Sequence, residues 1–296
     1  MRTDEKDWLD ADGNPIDEDH RGLVYDIRTL IDRRRALGIF SGVALTSLLT
    51  ACGVTGDEDA SATPSSSGAA STSPSATPAA SATADASGPV DEVPDETAGP
   101  YPADGSNGVD VLDDSGIVRN DIRSSFGSSS TSAEGVPLTI ALTVRDAATG
   151  AALAGRGVYL WHCDRDGNYS LYSRGIENEN YLRGVQETDA NGTVTFTSIY
   201  PACYSGRWPH IHFEVYEDVA TAVATGPIVK TSQIALPAET NDAVYATSGY
   251  EQSVRNASQV SLSSDMVFGD DGGIHQIATM AGSASEGYTA SLAIGV

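Results

Sequence analysis

The 296-residue sequence predicts an all-β fold, an antiparallel β-sandwich, over residues 99–296. Short segments in this region alternate between apolar and polar residues at period two, and turns rich in Gly, Asn and Asp separate them. No long helical period lies among these segments. Several short strands at this spacing, each with an apolar face to bury, are typical of two packed antiparallel sheets.

Five segments carry the strand pattern, and turns that contain Asp, Asn or Gly bound the first three of them. The first segment alternates from Leu138 to Val144, so that every second side chain can face a core. The predicted strands are residues 138–144, 157–162, 193–199, 211–216 and 288–294.

The overall charge excludes one class of partner. The chain has 17 Lys and Arg residues against 41 Asp and Glu residues, and its formal net charge is −24. A protein that binds a phosphate backbone needs a basic face to displace counterions, so we expect no nucleic-acid partner.

Hydrophobic residues make up 40% of the chain, which is enough to bury a substantial core.

The N-terminal residues 1–52 are predicted to form an export signal. Three arginines at 33–35 precede an uncharged stretch at 36–52, which is shorter than the ~20 apolar residues that a membrane-spanning helix needs. The paired arginines resemble a twin-arginine (Tat) signal, and Leu49-Thr50-Ala51-Cys52 resembles a bacterial lipobox. We therefore expect an exported protein that is anchored to the cell membrane by a lipid on Cys52. An uncleaved signal anchor or a buried helix is the alternative.

Residues 53–98 are predicted to be a disordered tether. They contain no Lys or Arg and consist mainly of Ser, Ala, Thr, Pro, Gly and acidic residues. Such a composition buries too little apolar surface to offset the conformational entropy of the chain. Its position between the predicted lipid anchor and the β domain is that of a spacer.

Two histidines, His210 and His212, form a His-x-His pair inside a predicted strand. Residues i and i+2 of a strand project from the same face, so both imidazoles can point toward one centre. Imidazole is a ligand for zinc, copper, iron and nickel, and the pair alone does not select among these metals. A polar stripe on a solvated strand is the alternative reading.

Several sequence blocks occur together in one order. They are residues 96–101 (ETAGPY), 161–170 (WHCDRDGNYS), 182–186 (LRGVQ), 188–192 (TDANG) and 199–213 (IYPACYSGRWPHIHF). Taken together, these blocks resemble the intradiol ring-cleavage dioxygenases, the family of protocatechuate and catechol dioxygenases. The resemblance spans most of residues 96–235 and implies the antiparallel β-sandwich of that family.

This resemblance implies a non-haem Fe(III) centre with two tyrosine and two histidine ligands. The first tyrosine of the family follows Gly-x and precedes Ser, which is the position of Tyr169, and the second lies in a Pro-x-x-Tyr turn, which is the position of Tyr204. His210 and His212 complete the set. Phenolate oxygens are hard anionic donors that suit ferric iron. Arg207, three residues before His210, corresponds to the family's active-site arginine, which stabilises negative charge on the activated ring; a structural ion pair is the alternative.

The implied activity is O₂-dependent cleavage of a catechol between its two hydroxylated carbons, which gives a muconate-type diacid. In the family, the tyrosine at the position of Tyr204 leaves the iron when the substrate binds. The expected partners are therefore a small catechol and O₂. Two other hypotheses remain: a non-catalytic surface module that keeps the sandwich and a metal, and a zinc or copper site at His210 and His212.

Three further positions carry weaker predictions. Gln233 lies where the family often has a glutamine that supports the site, although a hydrogen bond at a strand end explains it equally well. Tyr101 is a candidate for a wall of the substrate pocket, with a packing role as the alternative. His162 is expected to be structural.

Two segments depart from the family. Residues 236–296 match its motifs poorly and are expected to form extra strands or a cover. The tether at 53–98 stands in place of the family's helical dimerisation region, so the family's type of oligomer cannot be transferred to a homo-oligomer of this chain.

If Cys52 is lipidated, two cysteines remain, an even number in an oxidising compartment. Cys163 lies six residues before Tyr169, and Cys203 directly precedes Tyr204. We therefore expect a disulfide that joins the two tyrosine-bearing segments. Two free buried thiols are the alternative.

Overall fold

The computed structural model describes residues 88–296, which contain eight strands, three short helices and a 3₁₀ turn. The elements in chain order are β1 (Pro137–Arg145), β2 (Gly157–Trp161), β3 (Arg183–Glu187), β4 (Thr193–Ile199), β5 (His210–Tyr216), α1 (Val219–Val223), β6 (Ile228–Ala235), α2 (Ala238–Tyr245), α3 (Glu251–Ala257), the 3₁₀ turn (Leu262–Ser264), β7 (Thr279–Ser283) and β8 (Gly287–Gly295).

The strands form two four-stranded sheets, in the orders β4-β1-β8-β7 and β3-β2-β5-β6. This arrangement confirms the predicted all-β sandwich, and the five predicted strands are β1, β2, β4, β5 and β8. All strand pairs are antiparallel except β1 with β8, which run parallel from Leu138 opposite Tyr288 to Arg145 opposite Gly295. The alternation of apolar residues reports which face of a strand is buried and not its direction, so the sequence could not reveal this parallel pair.

The core lies between the two sheets. Strand β1 buries every second residue, and from the opposite sheet Ile211, Phe213 and Val215 of β5 are fully buried in the same cluster. Because side chains alternate, the residues between them on β5 face the other side of the sheet. That side is covered as well, since every residue of β2 and β5 is buried. The outer face of the second sheet is therefore enclosed, and it carries the histidine pair.

Three strands were missed by the sequence analysis, namely β3, β6 and β7. Strand β6 includes Lys230 and Gln233, which are polar and yet buried, so its sequence lacks an apolar alternation. Strand β3 has only five residues, and one of them is Gly184, whose missing side chain leaves room for Ile122. Both strands are fixed by their neighbours in the sheet and not by a pattern of their own.

Residues 236–296 form both a cover and extra strands, as expected. Tyr245 of α2 and Tyr250, just before α3, join the core between the sheets. After the 3₁₀ turn, Val267 and Phe268 pack with Ala235 at the end of β6. Strands β7 and β8 then complete the first sheet. Within the described part of the chain, no helix combines the length and the apolar character needed to cross a membrane.

The folded domain begins earlier than predicted. Val93, which falls in the predicted tether, is buried, and its N–H donates to the carbonyl of Gly295 at 3.0 Å. Lys230 Nζ lies 2.6 Å from a carboxylate oxygen of Glu92. Residues 90–98 are thus ordered by the sheet edges that they contact, although their composition resembles that of the tether. The predicted export signal at 1–52, with Cys52, and the tether residues 53–87 lie outside the described residues.

Candidate active site

The histidine pair lies in the middle of the second sheet, on its outer face. In the sheet register His212 of β5 is opposite Trp161 of β2 on one side and opposite Gln233 of β6 on the other. The rings of Trp161 and His212 are nearly parallel, with an interplanar angle of 6° and centroids 4.9 Å apart. This stacking fixes the plane of the His212 imidazole. His210 shares the face, as the spacing predicted, and the two Nε2 atoms are 3.1 Å apart.

Two loops bring tyrosines to the same place. In the loop after β2, Asp164 Oδ1 accepts hydrogen bonds from the backbone N–H groups of Asp166 and Asn168, both at 2.9 Å. Gly167, in the same turn, has φ +91°, and a Cβ on it would lie 3.1 Å from Cβ of Tyr204. Glycine is therefore required both for the backbone conformation and for the close approach of the two tyrosine-bearing loops.

The four predicted ligand side chains converge. The Tyr204 hydroxyl lies 3.1 Å from His210 Nε2. The ring of Tyr169 has its centroid 6.0 Å from that of Tyr204 and 6.3 Å from that of His212. Tyr169, His210 and His212 are buried, whereas Tyr204 is only half-buried, so the cluster is open to solvent on the Tyr204 side.

The histidines of the cluster are neutral and can donate to a cation, whereas the Tyr169 phenol keeps its proton in the absence of one. His210 Nδ1 lies 2.5 Å from the carbonyl oxygen of Trp208, so Nδ1 carries the proton and the lone pair of Nε2 faces the cluster. Burial lowers the pKa of both His210 and His212 well below 6.5, and both imidazoles are therefore neutral. Burial also raises the pKa of the Tyr169 phenol well above 10, and the neighbouring Tyr204 adds to this effect.

The two tyrosines and two histidines have the chemistry that a metal site needs. Tyr204 and His212 both approach the single lone pair of His210 Nε2, and the buried Tyr169 hydroxyl has no hydrogen-bond partner among the described residues. Such buried, poorly satisfied polar atoms are costly without a further partner. A hard cation at their centre would bind two phenolates and two neutral imidazoles, so the residues fit ferric iron. Residues 88–296 hold no cluster of three or more His, Cys, Asp or Glu side chains that could bind a metal.

Arg207 lies beside the cluster, and its side chain is 1% exposed. Its Nε donates to Asp265 Oδ2 at 3.0 Å, and one terminal nitrogen donates to Gln233 Oε1 at 2.7 Å. Gln233 Nε2 in turn donates to the carbonyl of Thr97 at 2.8 Å. The structural ion pair is therefore present, and the role of Arg207 in stabilising charge on the substrate stays a prediction. Gln233 contacts Arg207 directly, and its role in supporting the site stays a prediction.

Two other candidates have clear positions. The ring centroid of Tyr101 lies 4.9 Å from that of Tyr169, so Tyr101 packs directly against a proposed ligand; a role as pocket wall remains a prediction. His162 is buried, its ring nitrogens lie 2.7 Å from the hydroxyl of Ser198 and 2.8 Å from the carbonyl of Cys163, and burial lowers its pKa to about 4. His162 is therefore structural, as expected.

The predicted disulfide is wrong, because Cys163 and Cys203 are both free buried thiols. Each sulfur lies close to a backbone carbonyl: Cys163 Sγ lies 3.7 Å from the carbonyl of Ala202, and Cys203 Sγ lies 3.5 Å from that of Arg207. Burial raises the pKa of both thiols, that of Cys203 to about 12, and this makes them unreactive.

Arg183 has a role that the sequence analysis did not assign. It is 1% exposed, and its guanidinium donates to the carbonyls of Pro102 and Ser170, each at 3.0 Å, and to the Ser170 hydroxyl at 3.1 Å. Ser170 follows Tyr169, a proposed ligand, and Pro102 follows Tyr101. Arg183 therefore connects the first tyrosine loop to the N-terminal segment. Its position in the LRGVQ block was the available signal.

One family model and several solved structures are similar to this chain. A family model described as Dioxygenase matches residues 119–226, which contain all four proposed ligands and Arg207. No curated protein matches the chain. Among solved structures, an intradiol ring-cleavage dioxygenase from Tetranychus urticae is 27% identical, with 62% of this chain and 87% of that chain covered and a TM-score of 0.49.

A second dioxygenase crystal structure is 25% identical, with the same coverage of both chains and a TM-score of 0.51. The dioxygenase domain of a dioxygenase–carbohydrate-binding protein fusion from the cellulolytic bacterium Streptomyces sp. SirexAA-E is 23% identical, with 70% of this chain and 98% of that chain covered and a TM-score of 0.44. The family-model match thus covers the region that contains the four proposed ligands.

Proposed function

We propose that the chain is an intradiol ring-cleavage dioxygenase, a non-haem Fe(III) enzyme that cleaves a catechol between its two hydroxylated carbons. The family-model match over residues 119–226 and the similarity to a dioxygenase structure support this proposal. Both atoms of O₂ enter the product, a muconate-type diacid. The observation that carries this proposal is the convergence of Tyr169, Tyr204, His210 and His212 on the outer face of the second sheet.

The four side chains are the residues that would hold the iron. When bound, ferric iron would bind the hydroxyl oxygens of a catechol and make its ring reactive toward O₂. The tyrosines must lose their protons to ligate, and burial already raises the pKa of Tyr169, so iron binding releases protons and is favoured by higher pH.

Each neighbouring residue has a separate task. The half-buried Tyr204 lies at the open side of the cluster, where its phenolic oxygen can accept a proton from the entering catechol. Trp161 keeps the His212 ring in its plane. Arg207 places a buried positive charge next to the site, and positive charge stabilises the negative charge that develops on an activated ring. Tyr101 packs against Tyr169 and would close the pocket on that side.

We further propose that the enzyme acts outside the cytoplasm, anchored by a lipid on Cys52. The support is the order of the segments in the sequence: paired arginines, a short uncharged stretch ending in a lipobox-like motif, and a Ser/Ala/Thr-rich spacer. Radiolabelled palmitate in the expressing cells should enter the wild-type protein and not a Cys52→Ser variant. Equal labelling of the two proteins would contradict the anchor.

The activity is tested by O₂ uptake with iron-loaded protein. Catechol, protocatechuate, hydroxyquinol and larger catecholic compounds are supplied in turn, and the ring-opened diacid is identified by mass spectrometry with ¹⁸O₂. We expect one O₂ consumed per catechol and two labelled oxygens in the product. The Tyr169→Phe variant should lose activity, whereas Tyr181→Phe, which removes a buried hydroxyl whose partner is Asp164, should keep it. Iron-loaded wild type that binds catechols without consuming O₂ would instead indicate a binding module.

A further inference from the structure

Asp265 belongs to the cover, the segment of residues 236–278 that precedes β7, and its carboxylate contacts Arg207. Its side chain is 0% exposed. Oδ2 accepts from Arg207 Nε at 3.0 Å and from the backbone N–H of Trp208 at 2.6 Å. Oδ1 accepts from the backbone N–H groups of Val267 and Phe268, at 2.8 and 3.1 Å. Four donors therefore converge on one buried carboxylate, which satisfies its charge.

These contacts determine the direction of Arg207. A guanidinium that is held at Nε and at one terminal nitrogen, by Asp265 and by Gln233, has its plane and its rotation fixed. Gln233 is itself held by the carbonyl of Thr97. The chain from Asp265 to Thr97 thus anchors Arg207 at two points that belong to different parts of the fold, the cover and the N-terminal segment.

Asp265 also fixes the backbone just before β5, the strand that carries the two histidines. It binds the N–H of Trp208, and the carbonyl of the same residue accepts from His210 Nδ1. The turn that Asp265 caps places the Phe268 ring 6.5 Å from the His210 ring. Arg207, His210 and the cover are therefore held by one carboxylate, whereas Asp265 itself is not among the groups that surround the proposed iron.

We propose that Asp265 is a positioning residue of this enzyme: it aligns the Arg207 guanidinium for catalysis through the Asp265–Arg207–Gln233–Thr97 chain. The inference rests on the proposed dioxygenase function. It gives the cover, which lies outside the matched family region, a part in the reaction. An arginine that stabilises developing charge must point at the reacting ring, so its loss of alignment should slow the chemical step and leave substrate binding largely unchanged.

The functional test compares Asp265→Asn with wild type, per bound iron. Asparagine is nearly the same size but replaces one acceptor oxygen with a donor. We expect kcat to fall about 100-fold, as misalignment of a catalytic group by about 1 Å can cause, while anaerobic affinity for catechol changes by less than about 3-fold. Asp271→Asn is the matched control, because Asp271 caps a nearby turn by accepting from Gly273 N–H at 2.7 Å and is exposed. It should leave kcat unchanged.

Coupling to Arg207 separates positioning from general support of the fold. If Asp265 acts through Arg207, then Asp265→Asn in an Arg207→Leu background should lower the remaining kcat by less than about 2-fold. An equal fold-loss in both backgrounds, or an unchanged kcat in the single variant, would overturn the proposal.

A measurement on metal-free protein keeps this test independent of activity. The buried Nε–H of Arg207 should give a slowly exchanging ¹H–¹⁵N signal, assigned by its loss in Arg207→Lys. We expect Asp265→Asn to abolish this signal and Asp271→Asn to keep it. A signal that persists in Asp265→Asn would refute the alignment. If wild type consumes no O₂ with any catechol, the proposed function fails, and this signal alone decides whether Asp265 holds Arg207.

Discussion

The buried Glu214, on the outer face of the second sheet, gives a quantitative prediction of how the stability of the protein depends on pH. It lies two residues after His212 on β5, and its side chain is fully buried. Oε2 accepts from the Tyr216 hydroxyl at 2.7 Å, and Oε1 has no hydrogen-bond partner among residues 88–296. Burial, and then the nearby Asp104 carboxylate, raise the pKa of Glu214 from 4.5 to about 8. Glu214 is therefore neutral in the folded protein at neutral pH.

This shift makes the stability depend on pH with a definite sign. In the unfolded chain Glu214 releases its proton near pH 4.5, but in the folded protein it keeps the proton until about pH 8. Its contribution to stability is therefore complete below pH 4.5 and is lost as the pH rises to about 8. Each pKa unit corresponds to about 1.4 kcal/mol, so the loss over this window is on the order of 5 kcal/mol. This is a large part of the roughly 5–15 kcal/mol by which domains are stable.

Glu214→Gln removes the ionisation and retains the size of the side chain. Urea unfolding of metal-free protein, followed by tryptophan fluorescence from about pH 5 to about pH 9, gives the free energy of unfolding of both proteins. We expect the variant to gain on wild type by several kcal/mol as the pH rises, with a plateau above about pH 8. Glu187→Gln, the same change at an exposed position of β3, should show no such trend. Parallel curves for Glu214→Gln and wild type would refute the reasoning.

Three further predictions concern the supports of the site. Arg183→Met should lower the free energy of unfolding by about 3 kcal/mol or more in the same urea assay, because buried carbonyl groups lose their donors; a loss under about 1 kcal/mol would contradict the network. Gly167→Ala should cost about 1–2 kcal/mol and weaken ferric binding in competition with a chelator, since its φ is +91° and its Cβ would press on Tyr204; unchanged affinity would argue against this contact. Peptide mapping of the protein, denatured and alkylated without reduction, should find Cys163 and Cys203 both alkylated, and recovery of a peptide pair linked through these two would restore the disulfide.

The parts of the site that local sequence encodes were predictable. The period-two pattern of β5 places His210 and His212 on one face, and short motifs identify the loops of Tyr169 and Tyr204. These residues depend on neighbours within a few positions, so one sequence contains their signal. The same holds for the five strands with clear apolar alternation.

The parts that depend on distant partners were not predictable. Asp265 binds Arg207 across 58 residues, and Gln233 binds Thr97 across 136. A single sequence carries no pattern that links such positions, and the residues around Asp265 form no motif. The cysteines show a second limit of prediction from the sequence. Their positions beside the tyrosines were informative about which segments meet, but a disulfide also needs the two sulfurs to face each other, and here each lies close to a carbonyl.

The central claim is that Tyr169, Tyr204, His210 and His212 form a ferric site, and a visible absorption titration tests it most directly. Adding Fe(III) to metal-free wild-type protein should produce an intense burgundy tyrosinate-to-iron charge-transfer band that saturates at one iron per chain and shifts when catechol is added without O₂. Tyr169→Phe should weaken iron binding strongly and alter the band, whereas Tyr181→Phe should match wild type. Wild type that binds iron and stays colourless, or a Tyr169→Phe variant with an unchanged band and affinity, would contradict the account.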